Sequence, residues 1–472
     1  MLTGYAEAEA GHSPTGVVEI QPQQRLLRDG PQYSEAVLPP QQSLFRRITK
    51  YPALEHYNRL IFLAAVVNLI MFGMGVSNGW WAMEGMALSQ ISNMALANFT
   101  VAILIRQQYV INLLFWLATR APTSWPLSIR WNLAKVYHFG GLHSGCAVIG
   151  TIWFALFLGA LLHHHHNGLP GVSRETLMAT YALIALLVMI VALALPPIRS
   201  RFHNQFELMH RLGGWTALGL FWTQTILFVR DQSVAQAVPV DWLATPAIWI
   251  LALLTFSIVL PWLRLRKVEV KIKKPSSHVT LVEFDHGVRA FPGSSTAVSR
   301  NPLIEWHSFA NVPAPGTDAF RLTISRAGDW TGKFIDDTPS KVWVKGIPTA
   351  GVANIEVLFK RVVYVATGSG IGPVLPHLLA HEVPSHLVWS TRSPRKTYGD
   401  ELVDEILEAE PHAFIWDTVE HGKPDMVKLA YQAYRNFNAE AVICIANQKL
   451  TREVVFGMES RGIPAYGAIW DS

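Results

Sequence analysis

Six stretches of this sequence, 58–77, 92–117, 137–162, 175–196, 208–229 and 244–264, are apolar over about 20 residues each, the length a helix needs to cross the hydrocarbon core of a bilayer. They predict a six-helix transmembrane bundle. The loops orient it. Arg46, Arg47 and Lys50 precede the first stretch, and Arg106, Arg120, Arg130 and Lys135 stand at or beyond the end of the second. Arg199, Arg201 and Arg211 flank the start of the fifth, and RLRKVEVKIKK follows the sixth, whereas the opposite loops carry Arg174 and Arg230. The bias puts both termini in the cytoplasm of a multi-pass membrane protein.

The bundle does not account for the whole chain. Of 472 residues, 50% are hydrophobic and only 15% charged, with 17 Trp, which is too apolar for one soluble fold and too polar for a membrane protein throughout. Residues 1–56 mix Gly, Pro, Gln and charges without apolar periodicity or a cleavable signal, and predict a disordered cytoplasmic tail. The bundle occupies 57–264. From Val268 the texture alternates (VEVKIK, HVTLVEF, FRLTIS, KVWVKG), so 265–357 predict an antiparallel β-barrel. From Val362 a strand, glycine turn and helix recur, so 358–472 predict an α/β nucleotide-binding domain. Two cysteines, Cys146 and Cys444, lie far apart and exclude a disulfide framework or a CxxC zinc site. The excess of Lys and Arg over Asp and Glu, 39 to 34, is met by the basic loops and implies no nucleic acid partner.

The sharpest motif is RVVYVATGSGIGPVLPHLL. A buried strand ends in Gly368, Gly370 and Gly372, with Pro373 next and an apolar helix beyond. Without Cβ atoms the turn can bring its backbone close to a pyrophosphate, and the helix N-terminus favours negative charge. The next strand, HLVWSTRSPRK, ends in Ser390, Thr391 and Arg392. A basic residue there suits a 2′-phosphate, so NADPH is preferred over NADH.

Upstream, PLIEWHSFAN resembles the HPFT/HPFS flavin motif of the ferric reductase and NADPH oxidase group within the ferredoxin reductase superfamily. SRAGDWTGKF and ATGSGIGP are similar to that group's later motifs, in the same order, and within it the chain most resembles the fungal TmpA-type membrane flavoproteins. The resemblance implies FAD on His307, Ser308 and Phe309, and the dinucleotide on the three glycines. It also implies Cys444, in CIAN where CGP is usual, beside the nicotinamide, and Trp470 over the flavin ring. Ala310 stands where a hydroxyl residue is expected, and GIPTAG (346–351) where GPxG is usual.

The resemblance further implies haems held between paired histidines of the third and fifth helices, thirteen or fourteen residues apart on each helix, which is about 20 Å of rise. Here that pattern is halved. Beyond His138 and His143 the spacing falls on Thr151, Ile152, Leu156 and Phe157, and beyond His210 on Thr223 and Gln224. What remains is His210 with either His138 or His143 for at most one haem, on the cytoplasmic side. The tract His163–His166 reads as a wet helix end.

The expected function is an NAD(P)H-dependent FAD oxidoreductase passing electrons to a small-molecule acceptor at the membrane side. Four alternatives stay open. They are a ferric or cupric reductase using the histidine tract, a tailoring oxidoreductase of fungal metabolite or signal biosynthesis, a superoxide-forming oxidase, and a non-catalytic nucleotide-binding membrane sensor.

Overall fold

The computed structural model describes residues 37–468 apart from positions 84 and 315. Trp470 lies outside the described residues. The helical part comprises α1 (His56–Ser77), α2 (Leu88–Leu104), α3 (Gln108–Thr119), α4 (Gly140–His166), α5 (Arg174–Ala194), α6 (His203–Gln236) and α7 (Pro246–Val259). Among the described residues five helical segments are long and apolar enough to cross a membrane, or six if α2 and α3 form one span.

That second stretch departs from the expected single helix. It bends by 72° between α2 and α3. The break falls at the polar pair Arg106–Gln107, where the Gln107 side chain accepts from the Tyr109 backbone N–H at 2.7 Å and so starts a new helix. The α3 residues Ile111 and Phe115 then join the core built around Val362, Tyr364 and Leu387 of the C-terminal lobe. Two short helical turns, Leu127–Leu133 and Ala134–Phe139, dock on the same lobe before α4 begins. Buried Arg130 pairs with Glu440 at 2.7 Å and Lys135 with Glu459 at 2.7 Å. The stretch expected as tail is also placed in part: the Gln42 N–H donates to Ser460 O at 2.8 Å, and Arg461 donates to Pro39 O at 2.9 Å.

Glycine sets how closely α4 approaches α1. A Cβ on Gly141 would meet the Tyr57 carbonyl oxygen at 2.1 Å, and one on Gly145 would meet Ile61 Cα at 3.0 Å. This small-xxx-small seam brings the two backbones together. His143, midway between the two glycines, consequently points away from α1.

Strands β1 (Arg266–Lys273), β2 (Val279–Phe284), β3 (Ser294–Ser299), β4 (His307–Pro313), β5 (Phe320–Ser325) and β6 (Lys341–Val344) pair in the order β4-β5-β2-β1-β6-β3. Pairing of β3 with β4 closes them into a six-stranded antiparallel barrel, with helix α8 (Asp329–Asp337) beside it and β7 (Thr349–Ala350) added to β3. Closure leaves no unpaired edge. The C-terminal lobe is a parallel sheet of β8 (Val362–Thr367), β9 (Ser385–Thr391), β10 (Phe414–Asp417), β11 (Ala441–Ile445) and β12 (Ala465–Gly467), ordered β10-β9-β8-β11-β12. The chain reverses direction across the sheet between β8 and β11, the crevice where doubly wound folds bind their ligands.

Candidate functional site

The glycine turn opens helix α9 (Ile371–Ala380) at that crevice. Gly368 has φ +50°, and a Cβ on Gly370 would fall 2.0 Å from the Ile445 carbonyl oxygen, so neither position tolerates a side chain. Pro373 sits in the first turn of α9, where a missing N–H costs nothing. The buried Trp389 indole donates to the Gly368 carbonyl at 3.0 Å, an anchor that sequence reasoning missed. Ser390 and Thr391 are buried at the end of β9, and Arg392 is exposed beyond them. The turn, the helix N-terminus and the basic strand end fit a phosphorylated dinucleotide.

Cys444 is not at this surface. It is 0% exposed, in the layer between the sheet and the helices Met426–Asn436 and Gln448–Glu459, and burial pushes its thiol up to about 12. Side chains alternate along β11, so Ile443 and Ile445 face α9 while Cys444 faces the opposite layer. The expected place beside the nicotinamide is therefore corrected to a structural one.

The barrel stands against the glycine turn. Helix α9 packs on β4 and β5, and a Cβ on Gly372 would lie 3.7 Å from Thr323 of β5. On β4, His307 and Phe309 share a face and stack on Trp330 of the GDWT segment, with ring centroids 4.1 Å and 6.0 Å away. Burial holds the His307 imidazole below its usual range, against the pull of Glu305 and Glu207. Ser308 is exposed on the other face of the strand.

The 346–351 turn, which stands where GPxG is usual, packs on α3. Its amides are already engaged by α3 and neighbouring backbone. Ile347 donates to Gln108 at 3.1 Å, Ala350 to Asn112 at 2.9 Å, Gly346 to Pro261 O and Gly351 to Gly293 O. Gln108 and Asn112 in turn donate to Ile347 O at 3.1 Å and Pro348 O at 3.0 Å.

The bundle holds a cavity of about 320 Å³ between α2, α4, α5, α6 and α7, opening toward the barrel. His143 and His210 face each other in its wall, ring centroids 6.0 Å apart and planes at 82°. His143 Nδ1 lies 2.8 Å from the Ala102 carbonyl, which only accepts, so Nδ1 carries the proton and Nε2 presents a lone pair. A backbone carbonyl orienting a histidine in this way is the usual support of a metal-ligating imidazole. Of the two third-helix candidates, the structure pairs His143, not His138, with His210. His138 is 4% exposed in a separate small cavity at the junction with the nucleotide lobe, its ring 5.7 Å from that of His56. Two imidazoles in the wall of a largely apolar chamber are residues of the kind that could hold a haem iron.

The histidine tract is engaged in protein contacts. His164 accepts from the Met86 N–H at 3.1 Å and His163 donates to Met83 O at 2.9 Å, tying the helix end to the first loop. Among the described residues no group of three or more His, Cys, Asp or Glu is placed to hold a metal ion.

Residues 352–472 match the family described as adenylate-forming reductase 03009, C-terminal domain. The chain is 42% identical over 99% of its length to adenylate-forming reductase 03009 of Coprinopsis cinerea, and 41% identical over 88% to adenylate-forming reductase 06235 of the same organism. It spans less than half of these curated relatives, 44% and 40% of their lengths. Among solved structures, a ferredoxin NADP+ reductase from Neisseria gonorrhoeae with bound FAD and NADP aligns with 44% of this chain and 99% of its own, at 13% identity and TM-score 0.35. The matched relatives are thus named for adenylate formation and reduction, not for the ferric reductase group that the motifs resemble.

Proposed function

We propose that this chain is an NAD(P)H-dependent flavin oxidoreductase whose electrons leave the flavin for an acceptor in the helical bundle. The observation that carries the reading is the position of the barrel. One side of it meets the glycine turn at Thr323, and the other, through Lys345, lines the cavity of His143 and His210. In this reading the glycine turn holds NADPH, with Arg392 toward the 2′-phosphate, and the Ser308 edge of β4 holds FAD. FAD supplies the step from a hydride to single electrons. Neutral His307 stacks on Trp330 and shapes the ring pocket from the barrel side. One haem, held by His143 and His210, would supply a one-electron carrier.

The bundle is read as membrane-spanning, with the barrel and nucleotide lobe on the cytoplasmic side. Since the chain matches under half of each adenylate-forming reductase, we assign to it the reducing part of such an activity. The engagement of His163 and His164 disfavours the rival in which the histidine tract gathers metal outside.

The test is an absorption spectrum of the detergent-purified protein before and after anaerobic NADPH. Flavin that bleaches, with a Soret band that is lost in His210→Ala and in His143→Ala but kept in His138→Ala, is the expected result. No flavin bleaching would sink the oxidoreductase, and bleaching without a Soret band would remove haem and leave the enzyme.

A further inference from the structure

The cavity of His143 and His210 is lined mainly by apolar residues, with Thr151 also in its wall, and two cations stand at its barrel end. Arg211 comes from α6 and Lys345 from the residue after β6, so the two belong to different parts of the fold. Lys345 Nζ lies 4.4 Å from the Trp262 ring centre and 4.3 Å from that of Trp306, held between two indoles. Such contacts offset part of the cost of burying an ammonium but bring no negative charge. Arg211 donates to the Ile304 carbonyl and feels Glu207 and Glu305 through space, but no carboxylate stands within ion-pair distance of it among the described residues. Glu305, the acid nearest in sequence to that carbonyl, already accepts from the Trp330 indole at 2.6 Å, and Glu207 lies 3.8 Å from His203. The influences on Lys345 are burial and Arg211, with no carboxylate among them. The Lys345 ammonium, buried beside a second cation, is costly to keep at the mouth of an apolar chamber unless an anion joins it.

We propose that the occupant of this cavity is an amphiphilic carboxylate, its apolar body among the helices and its acid end between Arg211 and Lys345. The inference rests on the reading of the cavity as the site that receives electrons. Because the cations come from the bundle and the barrel, the acid end ties the two together when it binds. Two sources share this chemistry. A tetrapyrrole dicarboxylate such as haem has two acid arms for the two cations, and a long-chain fatty acid has one.

The test is a binding titration on the full chain in detergent, followed by the Soret band and by quenching of tryptophan fluorescence. The probes are iron protoporphyrin IX, its dimethyl ester, palmitate and hexadecanol. Iron protoporphyrin IX is expected to bind, to lose about tenfold or more in affinity in Lys345→Met and again in Arg211→Met, and to recover in Lys345→Arg. The dimethyl ester is expected to bind wild type and Lys345→Met alike.

If the ester binds wild type as tightly as the free acid, or if Lys345→Met and Arg211→Met leave acid binding unchanged, the inference is overturned while the cavity's role stands. Palmitate bound with the same dependence on Lys345, without haem and without hexadecanol, supports the carboxylate and removes haem from the proposed function. Failure of all four probes overturns both readings.

Discussion

The two halves of the helical bundle are built on opposite plans. The half toward the barrel encloses a chamber, and small residues such as Ala102, Ala147 and Gly214 leave room between its helices. The far half is more densely packed, and Phe99 and Phe221 at the chamber wall begin its aromatic run. Phe99, Phe154, Phe157, Phe221 and Phe228 pack in a run of ring contacts between 5.1 and 5.9 Å, and Phe157 is 0% exposed. Near this run Asn68, Asn98 and Trp153 form a side-chain network with hydrogen bonds of 2.7 to 3.1 Å. The difference teaches which half of the bundle has room for a ligand. The positions that a second pair of haem ligands would need hold Phe157, which is buried, Thr223, which is exposed and bonds the Gly219 carbonyl of its own helix, and Gln224, which is buried.

The far half therefore stands on its own packing, whereas the near half is braced from outside by the lobes. Truncating an aromatic should break the first most severely. Phe157→Ala is expected to destabilise the fold by about 3–5 kcal/mol, read as a lowered thermal midpoint in detergent. Gly214→Leu, at a position where an added Cβ meets nothing within 4 Å, should leave that midpoint nearly unchanged while abolishing ligand binding in the cavity. Equal loss of stability in both variants would erase the contrast.

A charge deletion tests the bracing. Glu459 is buried, accepts from the Trp131 indole at 2.9 Å and pairs with Lys135 at 2.7 Å. Glu459→Gln leaves the Lys135 charge buried without its partner and should cost about 2–3 kcal/mol. Burial pushes the Glu459 carboxyl up, but Lys135 and Lys50 outweigh it and hold it below its usual range. The contribution is then fully present above the ordinary carboxylate pKa and lost as pH falls through the folded value. An acid-side stability profile that is the same in wild type and Glu459→Gln would argue against this brace. A smaller loss, about 1–2 kcal/mol, is expected from Asn112→Ala, which removes two hydrogen bonds to the 348–350 backbone. Faster hydrogen exchange at the Ala350 amide, with the far half unaffected, is the confirming measurement.

Much of this contrast was legible in the sequence, because a missing histidine is visible as a letter. Five of the six apolar stretches form single long helices, and the alternating strands and the glycine turn stand where the sequence places them. The break in the second stretch was not legible, since 92–117 is apolar on both sides of Arg106 and only the docking of Ile111 and Phe115 on another lobe reveals it. His138 and His143 could not be told apart by spacing. What separates them is the seam of Gly141 and Gly145 against α1, which turns His143 toward the chamber. Cys444 occupies the motif's position in the sequence, but the alternation of β11 sends its side chain to the far layer.

The smallest effect separates the near half's chamber from its bracing by pH. Burial, with the charge of Arg211 beside it, lowers the Lys345 ammonium from 10.5 to about 8. In the unfolded chain the group returns to its ordinary value, so between about 8 and 10.5 the unfolded state binds more protons, and stability at Lys345 rises with pH across that window. Binding of a carboxylate runs the other way. Lys345 is charged below about 8 and neutral above it, so affinity for a free-acid probe should fall as pH passes 8 while affinity for its ester stays level. Lys345→Arg, which keeps its charge at every accessible pH, should flatten the acid's profile. A fall that persists in Lys345→Arg would place the titrating group elsewhere and leave the mouth of the cavity without its proposed role.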